Sequence, residues 1–380
     1  MTLTSESAAR IDEYIGAHPN CNTGMVRKQE VAGRLEDLSV YRLPTSLLFY
    51  NIKNGRFAAE YMELKKRHGG ELDPTRRNDA EEIQKMLVKE KGATKILKED
   101  LLKVGQREPG IITYDGYVIN GNRRMAAMTE LSNETSEEKW RYIEVLRLPF
   151  GTDERTLWKI EAGEQFSRGE RLDYNKINVL LKFREGRQVG LTPAEIAASL
   201  YGGYSPDEIT DALKRLELID SYLEYIGAPN IYAKVEDKHE HFVELQKFID
   251  QQGRRGQNKS DLLKATQCAF ELIKAQYPHR KLRDLGRIMN NAVARDNFFK
   301  AALGTMQQQV PEITQAFEDS VDIVQAAEEK TKPTVLLKRA LTNLDSVDTS
   351  LIKGNEPELN DLIQKLTGAI EKIKRGLSAA

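Results

Sequence analysis

The first 150 residues alternate between short apolar runs and stretches with helical spacing. The run from Val40 to Tyr50 is rich in β-branched and aromatic residues and is broken by Pro44, which predicts a strand with a bend. Apolar residues three and four positions apart predict helices over 6–15, 57–68, 79–88 and 95–104. Between the first helix and residue 37 we expect a polar turn and a charged connector.

A compact alternation of elements follows. Residues 111–114 and 117–119 predict two short strands, and Asp115-Gly116 between them is typical of a tight hairpin turn. A helix is predicted to begin at Gly121, because apolar residues recur behind it at helical spacing. Residues 142–148 predict one more strand.

From residue 153 onward, strand signals are weak and helical periodicity dominates. Thr192, Pro193 and Glu195 match a helix start with a capping box, and a second helix starts near Ser205 after a glycine turn. Two short helices joined in this way form a helix-turn-helix pattern. The predicted fold is an α+β N-terminal domain followed by an all-α C-terminal half.

The predicted organisation has four parts. They are an N-terminal helical extension (1–37), an α/β domain (38–152), a helical domain with the helix-turn-helix (153–255) and a C-terminal helical domain (256–380). The last part ends in two amphipathic helices with narrow apolar seams. The final seam consists of Leu359, Leu362, Leu366, Ile370, Ile373 and Leu377. It favours a homodimer or contact with a partner protein, and an intramolecular hairpin is the alternative.

Composition narrows the class of protein. No run approaches the roughly 18 apolar residues of a membrane helix, and the N-terminus lacks the basic flank and apolar centre of a secretory signal. Cys21 and Cys268 are too few for a disulfide framework or a zinc ribbon, so we expect a cytoplasmic protein without membrane contact.

The net charge of −1 excludes a protein that coats nucleic acid through a general basic excess. DNA binding therefore depends on local groups. Lys214 and Arg215 on the second helix of the helix-turn-helix, together with Arg254 and Arg255, are the candidates. The acidic start of that helix is unusual for one that enters a major groove, so a purely structural helical hairpin competes with this interpretation.

The segment at Gly121 has the features of a phosphate-binding turn. A helix start presents unpaired N–H groups and a partial positive charge, and glycine permits close backbone approach. Arg123 and Arg124 add planar donors in a first turn where cations are otherwise unfavourable. The alternatives are that the arginines form surface ion pairs and that Asn120 caps the helix without any ligand.

Residues 102–112 and 115–127 resemble the N-terminal domain of the ParB family, which belongs to the ParB/sulfiredoxin superfamily. That family shows a helix, a turn with Gly-Gln before a proline, a strand hairpin and then a phosphate-binding turn with two arginines. The resemblance implies that Gln106, Gly121, Asn122, Arg123 and Arg124 bind a nucleotide. It also implies a nucleoside triphosphate with Mg²⁺ as cofactor and double-stranded DNA as a partner of the following helices.

Two further motifs of the ParB family resemble segments of this sequence less closely. The first motif of the family would fall on Asn51, Asn54 and Arg56, where an ordinary turn is the alternative. The third motif resembles residues 164–174 with a short insertion, and a polar loop is the alternative there. By this resemblance the metal ligands are Glu164 and Gln165, and the further phosphate ligands are Arg168 and Arg171.

One departure from the family concerns catalysis. The acidic residue of the phosphate turn is Asn122 here, which cannot accept a proton or bring negative charge to Mg²⁺. Hydrolysis would then be slow or lost, or would fall to the candidates Glu161, Glu164 or Asp173. Three functions follow: a nucleotide-binding, DNA-associated protein of partition, regulation or anti-invader defence; a ParB-like nuclease or an NTP-hydrolysing or phosphotransfer enzyme; and a non-catalytic scaffold.

Overall fold

A computed structural model describes the chain over 5–53, 55–167, 175–201, 203–304, 311–331, 333–347 and 357–378. Its contacts divide it into two units, residues 1–286 and 287–380. In the described part, mixed strands and helices precede a helical remainder, so the predicted order of an α+β half and an all-α half is confirmed. The four-part division stays a prediction.

Six strands form one mixed sheet in the described part of the first unit. They are β1 (Asn22–Val31), β2 (Arg34–Pro44), β3 (Phe49–Tyr50), β4 (Gly110–Ile112), β5 (Tyr117–Asn120) and β6 (Tyr142–Arg147). The spatial order is β1-β2-β6-β4-β5-β3. The pairs β4–β6 and β3–β5 are parallel, and the other pairs are antiparallel.

The hairpin of β1 and β2 corrects the prediction of a charged connector up to residue 37. The loop between the strands is Ala32-Gly33, with φ of 51° and 80°. Positive φ at both loop residues is the two-residue turn that matches the twist of paired strands. Most residues of β1 are exposed, so the strand lacks the apolar alternation by which sequence identifies strands.

The central strands are buried on both faces. Ile112 and Val145 belong to one apolar cluster, whereas their chain neighbours Ile111 and Leu146 belong to another on the opposite face. Such strands read as continuous apolar runs. The larger cluster is covered by α1 (Ser5–Ala17), α2 (Ala58–His68), α3 (Arg77–Leu87), α4 (Lys91–Val104) and α5 (Asn122–Thr135).

The smaller cluster is covered by α6 (Glu154–Ser167), which begins the helical part of the first unit. The next helices are α7 (Lys176–Gln188), α8 (Pro193–Ser199), α9 (Pro206–Tyr225), α10 (His239–Arg254), α11 (Lys259–Lys274) and α12 (Leu285–Met289). The predicted capping box of Thr192 and Glu195 is present, and Ser205 and Glu208 form another. Helices α7, α8 and α9 pack against one another, with α8 and α9 at the positions of the predicted helix-turn-helix.

The second unit contains α13 (Ala292–Gly304), α14 (Pro311–Thr331), α15 (Pro333–Asp345) and α16 (Pro357–Ser378). The apolar seams of α15 and α16 are largely exposed, with Leu341 at 59% and Ile370 at 45%. None of the helices in the described ranges is long and apolar enough to cross a membrane.

Candidate functional site

Helix α5 begins at the predicted turn, directly behind β5. Gly121 precedes the helix in a left-handed conformation, with φ of 112°. A Cβ on Gly121 would lie 3.4 Å from the Cα of Gly110, and a Cβ on Gly110 would lie 2.8 Å from the carbonyl oxygen of Asn120. Two glycines therefore allow β4 to approach the turn closely, and glycine at 121 also satisfies the backbone angle.

Asn122 is buried, with 2% of its surface exposed. Its Oδ1 accepts from the backbone N–H of Asn51 at 2.9 Å, and its Nδ2 donates to the carbonyl of Val118 at 2.6 Å. An ionised carboxylate could take the first bond but not the second, because it has no donor. The amide that replaces the family's acid thus fits a position that requires one donor and one acceptor.

Three distant segments converge on the start of α5. The backbone N–H of Asn51 donates to the Asn122 side chain, as described. The backbone N–H of Gly55 donates to Glu161 of α6 at 3.0 Å. One turn further along α6, Glu164 accepts from the side chain of Asn120 at 3.0 Å. The turn after β3, the turn before α5 and helix α6 are therefore connected through polar groups.

The two arginines of the turn differ in their surroundings. Arg124 donates to the carbonyl of Glu108 at 2.5 Å and so braces the loop before β4. Arg123 is 15% exposed and lies 3.9 Å from the Glu90 carboxylate, which is longer than a direct hydrogen bond. Arg123 therefore has a long ion pair with Glu90, whereas Arg124 bonds a backbone carbonyl.

Gln106 also braces the loop before β4. Its Nε2 donates to the carbonyls of Glu108 and Glu144, and its Oε1 accepts from the N–H of Glu144 at 2.9 Å. These bonds connect the loop to β6. Its predicted role as a nucleotide ligand stays a prediction.

A buried ion-pair cluster lies behind the converging segments. Lys182 is fully buried, and its Nζ lies 2.9 Å from Glu161 and 2.8 Å from Glu185. Burial by itself lowers the pKa of Lys182, but the two carboxylates outweigh it and the pKa is raised. Burial raises the pKa of Glu185. Glu161 is thus engaged by Lys182 and Gly55, which disfavours it as a general base.

Sequence reasoning did not single out Lys182 or Glu185. Their spacing of three residues on α7 is that of an ordinary surface pair. The available signal is that Ile177, Leu180, Leu181 and Phe183 around them are all apolar, which marks a helix with little exposed face. A lysine inside such a helix requires a partner from another element, and sequence does not say which.

Several predicted ligands fall outside the described residues. These are Asn54, Arg168, Arg171 and Asp173. Arg56 lies in the 3₁₀ turn Gly55–Phe57 and Gln165 lies in α6, but only their backbones are described.

Among described residues, no group of three or more His, Cys, Asp or Glu is arranged around a metal position. The carboxylate of Glu164 is hydrogen-bonded to Asn120, in the turn before α5.

The predicted DNA-contacting residues are dispersed. Lys214 is exposed and pairs with Asp211 at 3.4 Å, whereas Arg215 is half-buried. Arg254 and Arg255 are exposed at the end of α10. The exposed positions along one face of α9 include Asp207, Asp211, Lys214, Glu217 and Glu224. That face carries more acids than cations, which opposes contact with a phosphate backbone.

Searches against models of known protein families and against curated proteins give no match for this chain. The resemblance of the turn to the ParB family stays a prediction from the sequence.

Proposed function

We propose that the first unit binds the phosphate groups of a nucleoside triphosphate at the start of α5, in the manner of ParB-like domains. One observation carries the proposal. Segments around Asn51, Asn122 and Glu164, which are far apart in sequence, meet at one helix N-terminus through hydrogen bonds of 2.9–3.0 Å. The proximity of these three segments supports the proposal.

The helix start supplies the anion-binding groups. The first N–H groups of α5 have no partner within the helix, and the helix dipole favours negative charge there. Arg123 adds a guanidinium whose pairing with Glu90 is long. Arg124 and Gln106 hold the neighbouring loop in place, so the turn is preorganised and little ordering is required on binding.

Mg²⁺ would reach this site together with the triphosphate. The ion commonly keeps several waters and uses one or two carboxylates plus phosphate oxygens. Glu164 is the described carboxylate that fits this role, because it already touches the turn through Asn120. When bound, the ion would neutralise phosphate charge. The chain itself would orient the phosphates through the α5 amides and Arg123.

Calorimetric titration with each common nucleoside triphosphate in Mg²⁺ tests the proposal. At least one should bind, and Arg123→Gln should weaken it about tenfold or more, because a charge-assisted bond is lost. Arg77→Gln, which removes a 90% exposed arginine from α3, is the matched control and should leave affinity unchanged. Absence of binding to any triphosphate at millimolar concentration would overturn the proposal.

The enzyme alternative receives less support from the same residues. Asn122 is neutral and hydrogen-bonded through both its amide oxygen and its amide nitrogen, and Glu161 is held by Lys182. Binding without turnover is therefore the expected behaviour. Metal-dependent triphosphate or DNA cleavage that disappears in Glu164→Gln would instead favour a ParB-like nuclease or phosphotransfer enzyme.

Duplex DNA is the second part of the proposal. The packing of α7, α8 and α9 against one another, with α8 and α9 at the positions of the predicted helix-turn-helix, supports it, and the acidic face of α9 weighs against contact through that face. We expect salt-sensitive duplex binding that Arg254→Gln with Arg255→Gln weakens more than Lys214→Gln does. If duplex DNA does not bind even at low salt, the helical part would instead serve as a non-catalytic scaffold.

A second copy of the chain is the proposed partner of α15 and α16. Their seams expose Leu341, Leu366 and Ile370 at heptad-like spacing, which suits a coiled coil between copies. Light scattering should give twice the monomer mass, and Leu366→Glu with Ile370→Glu should return the monomer. A monomeric wild-type chain would contradict this assignment.

A further inference from the structure

A cavity of about 340 Å³ lies among α7, α9 and the first residue of α10, away from the α5 turn. Its apolar lining comes from Val179, Leu180 and Phe183 of α7 and Ala212 of α9. Tyr204, in the turn before α9, packs edge-to-face on Phe183 with ring centres 5.1 Å apart. The volume is near the lower end of small-molecule sites, which span about 300–1,000 Å³, so it suits a single ring with its substituents.

Arg215 lines this cavity from α9 and is half-buried. Its one hydrogen bond to a described residue runs from Nε to the Gln246 amide oxygen, 3.1 Å away, and no described carboxylate forms an ion pair with it. Burial lowers the pKa of Arg215, but a guanidinium stays charged at neutral pH. A partly desolvated cation with spare donors is therefore exposed to the cavity.

The two other cations at the cavity already have partners. Lys176 pairs with Glu240 at 2.6 Å, and the ring of His239 lies 3.4 Å from the same carboxylate. Burial lowers the pKa of His239, and the charge of Arg215 lowers it further. His239 is therefore expected to be neutral at pH 7, with its N–H on Nδ1 directed at Glu240 and its other ring nitrogen an acceptor.

The acidic side chains at the cavity are also engaged elsewhere. Asp211 pairs with Lys214 at 3.4 Å, and Glu208 accepts the backbone N–H of Ser205 at 2.7 Å as part of the α9 cap. Asp211 and Glu240 attract Arg215 and act to raise its pKa, but no described carboxylate forms a direct ion pair with it. The cavity thus combines an aromatic and aliphatic lining with one cation that lacks a carboxylate partner among the described residues.

We propose that this cavity binds a small organic anion with an aromatic ring, whose carboxylate pairs with Arg215 and whose ring packs against Phe183 and Tyr204. An arginine fork matches a carboxylate with two parallel hydrogen bonds, and ring pairs add attraction beyond the area they bury. Such a ligand would connect α7 to α9 and so stiffen the helix-turn-helix unit. The site is separate from the proposed nucleotide site.

Ligand-observed NMR and calorimetry with phenylacetate test the proposal on the full-length chain. Phenylacetate should bind with a dissociation constant of about 1 mM or tighter, and neutral phenylacetamide should bind about tenfold more weakly. Arg215→Gln should remove the difference between the two. Ala212→Phe, which fills the cavity and leaves Arg215 in place, should abolish binding of both.

Two control variants test whether binding is specific to this cavity. Arg254→Gln, which changes an exposed arginine on α10, should leave phenylacetate binding unchanged, as should Arg123→Gln at the nucleotide turn. Circular dichroism verifies that each variant is folded. Failure of both phenylacetate and benzoate to bind at 10 times that dissociation constant (~10 mM) would overturn the proposal, as would equal binding by Arg215→Gln.

Discussion

Lys182 and Arg215 are two cations of the helical part with opposite surroundings. Lys182 is fully buried and held by two carboxylates within 3 Å, whereas Arg215 is half-buried and has only a neutral amide as partner among the described residues. A buried charge is costly unless it is paired, so Lys182 must be satisfied by the protein itself. Arg215 retains guanidinium N–H groups that can donate to a bound anion. The difference distinguishes a cation that holds a fold together from one that is available for a ligand.

The same contrast separates the residues of the α5 turn. Asn122 and Gln106 have their polar groups committed to backbone, and Arg124 braces a loop. Arg123 has the longer pairing. Three of these four side chains therefore hold the local structure in position.

The largest expected effect is that of Lys182→Met. Removing the cation leaves Glu161 and Glu185 buried beside each other, and breaking a buried pair by removing one partner costs about 3–5 kcal/mol. Urea unfolding followed by circular dichroism measures the loss. A change below about 1 kcal/mol would show that the cluster does not require its lysine.

Asn122→Asp should have a smaller effect, because it removes only the donor to the Val118 carbonyl and adds a buried charge. We expect a loss of about 1–3 kcal/mol in the free energy of unfolding. The matched control is Asn258→Asp. The Asn258 side chain caps α11 only as an acceptor, from Ser260 N–H, so aspartate should serve equally well there. Equal effects of the two changes would contradict the assigned donor role.

Arg283, another arginine of the helical part, is paired with a carboxylate and allows a pH test of the comparison between paired and unpaired cations. Glu244 accepts two bonds from Arg283, at 2.9 and 3.0 Å, and these hold the pKa of Glu244 at about 2, below its ordinary value of 4.5. The resulting stabilisation is complete above pH 4.5 and is lost as the pH falls towards 2. Glu244→Gln should therefore reduce the dependence of the unfolding midpoint on pH in that window. An unchanged acid limb would mean that Arg283 does not stabilise the ionised form.

The smallest expected effect is that of Arg215→Leu. This substitution removes a partly desolvated charge that has no carboxylate partner among the described residues, so stability should change by no more than about 1 kcal/mol and can increase. Urea unfolding in the absence of added anions provides the measurement. A loss of more than about 2 kcal/mol would indicate that Arg215 is already paired within the fold.

Local sequence patterns predicted most elements of the first unit. The strands at 111–119 and 142–148, the helix at Gly121 and the capped helix at Thr192 are all present. These elements have strong local signals: apolar runs, a glycine turn and a capping box. The hairpin of β1 and β2 was missed because β1 is exposed along most of its length and the buried apolar residues of β2 begin only at Val40.

The features of the candidate site also separate into those that local sequence predicted and those that depend on tertiary packing. Sequence indicated the turn at Gly121 and the segments around Asn51 and Glu164, because glycine, asparagine and arginine at a helix start have a local meaning. It did not indicate that Glu161 would be closed off by Lys182, or that Arg215 would line a cavity. Those facts depend on which helices pack against one another.

The sequence by itself determined where most helices and the buried central strands begin, since capping, turns and apolar periodicity act over a few residues. The tertiary structure alone decided which polar side chains are satisfied. Asn122 reaches across 71 positions of the chain to Asn51, while Arg215 faces a space left among α7, α9 and α10. Hydrogen bonds and ion pairs act over a few ångströms, so the folded arrangement settles which cation remains available.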